Sequence, residues 1–224
     1  MPRSSTAAQP ATMESAARSN CAFFRETVPL MNSLKIPSLG YALLGLLQKP
    51  SSGYDLRKIF ASTSMKTYSD SPGAIYPALG RLEKQGLIRG RIEDGAGLRR
   101  RQVFQLTPKG FSELRKWIIQ PIRQEDLVRG QGEIMLRFAF SETVAGASAS
   151  LELLRSLSAA LEPHLRALHD EFEASKSAMP QSGRLAFESG IRGTECLQEW
   201  VRHAIAAYEK ETREAHHEVV QHNS

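Results

Sequence analysis

The run Ser71-Pro72-Gly73-Ala74-Ile75-Tyr76-Pro77-Ala78-Leu79-Gly80-Arg81-Leu82-Glu83-Lys84-Gln85-Gly86 decides how the chain is read. Ser71 is a good N-cap, and Pro72 suits the first helical position, where the N–H that proline lacks has no partner within the helix. Ile75, Leu79 and Leu82 follow at spacings of four and three, the inner stripe of a helix that Gly86 closes. Pro77 conflicts with this pattern, because its missing N–H falls near the start of the helical ladder and predicts a late start or a bend. With the stripe buried, the outward side presents Tyr76, Pro77, Gly80, Arg81 and Lys84. Ser69, Ser71, Gly73 and Ala74 at the leading end are small enough to let backbone approach a phosphate or a base edge. The free N–H groups and positive dipole end of the helix favour phosphate there.

Upstream, Ser38 predicts the cap of a helix over about Leu39–Leu47, where Tyr41, Leu43, Leu44, Leu46 and Leu47 are apolar nearly all round. A helix that greasy is buried, against its own domain and, on this reading, against a partner chain. Ser52 with Asp55 is a capping box and opens a second helix through about Met65, with Leu56, Ile59 and Phe60 inside. Downstream of Gly86 the period changes to two. Ile88 and Ile92 face one way and Arg89 and Arg91 the other, then Asp94-Gly95-Ala96-Gly97 signals a hairpin. In the returning strand, Arg100–Thr107, Phe104 and Leu106 are predicted inside, alternating with Val103 and Gln105. Thr107-Pro108 caps a fourth helix with Phe111, Leu114, Trp117 and Ile118 on its core side.

Helix–helix–helix–strand–wing–strand–helix is the order of a winged helix-turn-helix. By order alone, a small α+β domain without a nucleic-acid role fits equally. Charge separates the two. The whole chain of 224 residues carries +5, yet residues 34–120 hold 15 basic and 6 acidic groups, whereas residues 121–224 hold 11 basic and 16 acidic. A duplex presents about one negative charge per 1.7 Å of axis. Arg99, Arg100 and Arg101 run together in the wing, with Arg89 and Arg91 across the hairpin, where a solvated face would mix its signs. Tyr76, one residue after a core isoleucine, cannot share the core face. It is read either as a phenol offered to phosphate or base, or as a ring packed on the wing or the second helix.

Several separated stretches resemble one family. Tyr41-Ala42-Leu43-Leu44-Gly45-Leu46-Leu47 and Ser52-Gly53-Tyr54-Asp55-Leu56 are similar to the opening of the PadR-type transcriptional regulators. Ser71 to Glu83 with Gly86-Leu87-Ile88 resembles their recognition helix, and Leu106-Thr107-Pro108-Lys109-Gly110 their strand-to-helix exit. The resemblance covers residues 38–118. It makes Pro77 ordinary, while Gly80 departs from the longer polar residue usual there. It implies a long C-terminal part used for dimerisation and, in some relatives, a site for phenolic or other aromatic compounds.

The acidic half is read as helical. Glu133 to Phe140 leads to a long helix starting at Ser141 or Thr143, with Leu151, Leu154, Leu157, Leu161, Leu165, Leu168 and Phe172 as its stripe and a kink or break at Pro163. Pro180-Gln181-Ser182-Gly183 is the turn, and a last helix runs to about Val219. Gly190 and Gly193 would let another helix approach. Two such helices pair antiparallel and dock on a second chain, or close as a bundle within a monomer. Leu43, Leu47, Leu154, Leu161, Leu168, Leu197, Val201, Ile205 and Tyr208 are the predicted dimerisation residues. Trp117, Phe138, Phe140, Phe187 and Trp200 are candidates for an apolar effector cavity, although aromatic residues at helical spacing also make plain core.

Other classes fit less well. No run reaches the roughly 18 apolar residues of a membrane span. Cys21 and Cys196 are too few and too far apart for a disulfide framework or a cysteine zinc site, which suits the cytoplasm of a bacterium and its nucleoid. His203, His216, His217 and His222 lack a ligand pair at helical spacing, so no metal and no cofactor is expected. No catalytic triad, phosphate loop or nucleotide fingerprint appears, so the chain is not read as an enzyme. Residues 1–33 read as a disordered tail, with translation starting at Met1, Met13 or Met31.

The expected architecture is mainly α (α+β): this tail, a winged helix-turn-helix over 34–120, and an antiparallel helical dimerisation domain over 121–224. The expected function is a homodimeric regulator, a repressor on an inverted-repeat operator in promoter DNA. The alternative is a protein-interaction scaffold whose winged helix no longer binds DNA.

Overall fold

The computed structural model describes residues 36–222 apart from 69–70 and 95–99. The expected tail therefore lies outside the described residues. Helix α1, Ser38–Leu46, does not use Ser38 as its cap: Pro37 holds that position and the Ser38 hydroxyl donates instead to Glu133 at 2.7 Å. Ser51–Ser52 form a two-residue strand, β1, which the sequence reading did not foresee. Helix α2, Gly53–Ser62, opens on the expected capping box. The Asp55 N–H donates to Ser52 Oγ at 3.2 Å and the Ser52 N–H to the Asp55 carboxylate at 3.3 Å. It stops at Ser62, short of Met65, because Thr63 caps a separate 3-10 turn over Ser64–Thr67.

Helix α3, Pro72–Lys84, begins where Ser71 and Pro72 predict and runs through Pro77, so the late start does not occur. The residue that would have accepted the missing bond is in the first turn, where few ladder bonds are lost. Gly86 follows with φ +70°, the left-handed conformation a glycine adopts without strain. Strands β2, Ile88–Asp94, and β3, Arg100–Leu106, pair antiparallel, and β1 adds to the other side of β3, giving the order β1-β3-β2. Helix α4, Pro108–Ile119, is capped by Thr107, whose hydroxyl accepts the Gly110 N–H at 3.0 Å.

Two strand expectations change. Ile92 is 67% exposed, because the wing extends beyond the helices that cover Ile88. Val103 is buried alongside Phe104, since β1 pairs with the strand at this point. In α4, Leu114, Trp117 and Ile118 are buried as expected, but Phe111 is 40% exposed.

Three helices follow α4 before the hairpin's second arm. These are α5, Gln124–Arg129, which the sequence reading did not foresee, α6, Gln131–Ala145, and α7, Ala147–Ser175. The long helix does not start at Ser141 or Thr143. Ser141 is wholly buried inside α6, its hydroxyl 2.6 Å from that of Ser150, and the break falls at Gly146 with φ +88°. Pro163 neither ends nor divides α7. Helix α8, Gln181–His222, returns along α7. Among the described residues no helix is long and apolar enough to cross a membrane.

There are two cores. The first joins α1 to α4 and the sheet and also takes Leu136, Phe140 and Val144 from α6. The Phe140 ring lies against Gly45, where a Cβ would overlap it. The second gathers Ile122, Ile134, Leu153, Leu157, Leu161 and Val201. Arg137, itself 5% exposed, links the halves by donating to the Ile118 carbonyl at 3.0 Å and to that of Gln120. Burial lowers its pKa, while Asp126 and Glu133 oppose that shift.

These cores correct the dimerisation set. Leu43, Leu47, Leu154, Leu161 and Val201 are buried within the chain itself and offer a partner nothing. Periodicity marks a buried helix face without saying which chain buries it. Leu168, Leu197, Ile205 and Tyr208 are half-buried.

Candidate nucleic-acid interface

Burial of Ile75, Ala78, Leu79 and Leu82 fixes the rotation of α3 and turns Tyr76, Pro77, Arg81 and Lys84 outward, all four exposed. At its start Ser71 and Gly73 are exposed and Ala74 is half-buried, with the Gly73 N–H donating to Ser71 Oγ at 3.2 Å. Ser69 lies outside the described residues. Tyr76 combines both readings given above: it is 49% exposed, yet its ring edge sits where a Cβ on Gly53 would come within 2.5 Å. Gly53 at the start of α2 thus seats the ring, which fixes where the phenol can reach.

Pairing register sorts the wing cations by face, because successive strand residues point to opposite sides. Arg89, Arg91 and Glu93 share a face with Gln105, Val103 and Arg101, while Arg100 shares the other with Gly90 and Ile92. Arg99 lies outside the described residues. Glu93 takes both neighbours: Arg91 at 2.7 Å and Arg101 at 3.6 Å. Both guanidiniums remain more than half exposed, so these pairs are worth about 0–1 kcal/mol and yield readily to a phosphate. Arg101 also bears on Asp55. The Ser52 hydroxyl is the main cause holding that carboxyl below the usual range, with Arg101 and Lys58 adding to it. The wing therefore lies near the start of α2, where Tyr54, 61% exposed, carries the Arg57 guanidinium 5.4 Å from its ring centroid. Sequence reasoning passed over this pair, although the spacing of Tyr54 and Arg57 on one helix face would have shown it.

The wing root is tied to α3. The Gly90 N–H donates to Glu83 Oε1 at 2.7 Å, and at the end of α3 Lys109 Nζ of α4 donates to the Gln85 carbonyl at 2.7 Å. Arg89 stands at this root, on the face away from Glu83. It has no hydrogen-bond or ion-pair partner among the described residues. It lines a cleft of about 690 Å³ with Gln48, Gln105, Leu106, Pro108 and Phe111.

The five aromatic residues expected around an effector do not gather in one place. Trp117 stacks on Tyr41 at 4.1 Å between centroids and Phe140 packs on Gly45, both in the first core. Phe138 meets Trp200 edge-on at 5.5 Å in the second, and Phe187 pairs with Phe172 farther along the hairpin. None of them lines the cleft beside Arg89 or the smaller cavity around Pro121 and Leu153. Helical spacing placed each on a core face, and three separate sets of contacts claim them. Among the described residues no group of histidine, cysteine and carboxylate side chains is arranged to hold a metal. The side chains of His216, His217 and His222 lie outside that description.

Residues 43–116 match the model of the Transcriptional regulator PadR-like family, over the same helices and wing. That stretch, about a third of the chain, is similar to the family's domain. The family is one of transcriptional regulators rather than enzymes. The Negative transcriptional regulator PadR of Bacillus subtilis is 33% identical over 115 residues, half of this chain and 61% of the relative. The Transcriptional regulator YqjI of Escherichia coli is 31% identical over 91 residues, 40% of each chain. The chain thus spans 61% and 40% of the lengths of these two relatives. Among solved structures, Bacillus subtilis PadR with operator DNA covers 77% of this chain and 99% of its own at 24% identity and a TM-score of 0.36. The same regulator with p-coumaric acid gives 23%, equal coverage and a TM-score of 0.33.

Proposed function

We propose that this PadR-like chain is a sequence-specific DNA-binding regulator, a repressor acting in the bacterial cytoplasm as a homodimer on an inverted-repeat operator and released by a small aromatic effector. The observation that carries it is the outward face of α3: its apolar stripe is fully spent on the core, leaving Tyr76, Arg81 and Lys84 exposed beside a small, open helix start. Side chains on such a helix reach base edges, while Arg91, Arg100 and Arg101 on the wing supply phosphate contacts. A repressor's role is supported by the Bacillus subtilis relative, a negative transcriptional regulator. Dimerisation is supported by the hairpin, where Leu165, Leu168 and Phe172 stay half-buried and Leu185 is 56% exposed. A two-fold pair of winged helices suits two half-sites about one duplex turn apart.

The test is a mobility shift on the DNA upstream of its own gene against random duplex, over a range of salt. Specific binding that weakens steeply with salt is the expected result. Equal, salt-insensitive retention of both duplexes, or none, would leave the scaffold reading in its place.

A further inference from the structure

We propose that Gly80 reads the duplex by having no side chain: the bare backbone of α3 at this position packs against the 5-methyl group of a thymine in the major groove. The inference rests on the DNA-binding reading above and adds the base that α3 selects at its centre.

Glycine destabilises a helix interior more than any residue except proline, so inside a helix it calls for a reason. Several glycines have theirs within the fold. A Cβ would strike the Phe140 ring at Gly45, the Tyr76 ring at Gly53 and the Leu87 carbonyl at Gly110, while Gly86, Gly130 and Gly146 take a positive φ. Gly80 has neither reason. It lies inside α3 without a positive φ, and a Cβ there would meet nothing within 4 Å. Alanine would fit and would favour the helix. Nothing within the chain asks for glycine at this place. Gly190 and Gly193 on α8 are open in the same way, on the helix proposed to meet a second chain.

The rotation of α3 says what lies outside. At about 100° per residue, Gly80 stands opposite the buried stripe of Ile75, Ala78, Leu79 and Leu82, in one row with Pro77 and Lys84. Tyr76 flanks this row on one side and Arg81 on the other, both exposed. Helical side chains lean toward the N-terminus, and the Tyr76 ring does so by lying against Gly53, clear of Gly80. Two long side chains therefore stand astride bare backbone. A helix of that profile seats closer to the base pairs than one with a side chain at the same point. The contact it offers there is apolar, because the N–H and carbonyl of Gly80 belong to the helical ladder. Of the four bases, only thymine presents a methyl group to the major groove.

The experiment begins with selection by the full-length protein from duplexes with a randomised core. The sequence enriched is then remade with each thymine in turn replaced by uracil, which removes only the methyl. In mobility shifts, one such replacement in a half-site should cost the parent about fourfold, the worth of one buried methyl. Gly80→Ala should bind the enriched duplex about tenfold more weakly, ignore that replacement, and bind random duplex as the parent does. Its melting temperature should rise by about 2–4 °C, so that lost operator binding is not a folding defect. Unchanged or tighter operator binding by Gly80→Ala, tighter binding by Gly80→Gln, or no thymine methyl that matters to the parent alone would each overturn the proposal. A fall in melting temperature would do so too, since alanine would then not fit. An enriched operator with an unresponsive Gly80→Ala removes this inference alone. If the parent enriches no sequence, the regulator reading falls and this inference falls with it.

Discussion

Leu43, Leu44, Leu56 and Leu114 in the winged helix are wholly buried, whereas Leu165, Leu168 and Phe172 on the hairpin stay half-buried and Leu185 is 56% exposed. The first region closes its apolar surface from several directions, with four helices, a sheet and α6 around one centre. The second has only two long helices side by side, and a pair cannot cover both flanks of its own stripe. The difference teaches that hydrophobic patterning of similar strength has two destinations. Where elements converge it becomes core, and where they run in parallel it becomes a surface that a second copy of the chain would complete.

The largest expected effect tests the closed region. A Cβ at Gly110 would fall on the Leu87 carbonyl oxygen, backbone against backbone, so Gly110→Ala should lower stability by about 3 kcal/mol in urea unfolding. Little loss there would mean that this packing is slack. On the open region, Phe172→Ala with Leu185→Ser should weaken self-association at least about tenfold in sedimentation while leaving the far-ultraviolet helix signal intact. Unchanged association would place the interface elsewhere. Smaller still is the wing: Arg101→Ala should weaken all duplexes alike and reduce the salt slope of binding by about one, without altering operator preference.

The smallest effect concerns the seam between the regions. Tyr41, stacked on Trp117, has its pKa pushed up to about 12, chiefly by burial and then by Glu113 and Glu133. The folded state therefore holds this proton more tightly than the unfolded chain does. Its contribution is complete below about pH 10 and is lost as the pH rises toward 12. Phenolate absorbance on alkaline titration should show late-ionising tyrosines, since burial also raises Tyr68 and Tyr208, and Tyr41→Phe should remove the one near pH 12.

Local chemistry was legible at most caps and turns of the winged helix, Ser38 excepted. Ser52 with Asp55, Ser71 with Pro72, Thr107 with Gly110, and Gly86 all act where the sequence places them. Within the candidate interface, the outward set on α3 followed from the stripe opposite it. What stayed hidden depends on contacts between distant segments. The Ser141–Ser150 hydroxyl pair is formed only once α6 and α7 fold together, so no window around Ser141 reveals that the break comes at Gly146. Alternation assigned Ile92 a face but not the extent of the core beneath it. Helical spacing likewise made Phe111 a core residue, and only the position of the sheet shows that its side of α4 opens on a cleft.

The bond from Gly90 to Glu83 has a mechanical meaning. With the tie from Lys109 of α4 to the end of α3 beside it, α3 and the root of the wing form one rigid calliper rather than two jointed fingers. A calliper of fixed jaw does not adapt to grooves of different width, so on the proposed reading the duplex must do the adapting. Its stiffness then becomes part of the recognition, and base steps that no side chain touches would be selected for how easily they bend or twist.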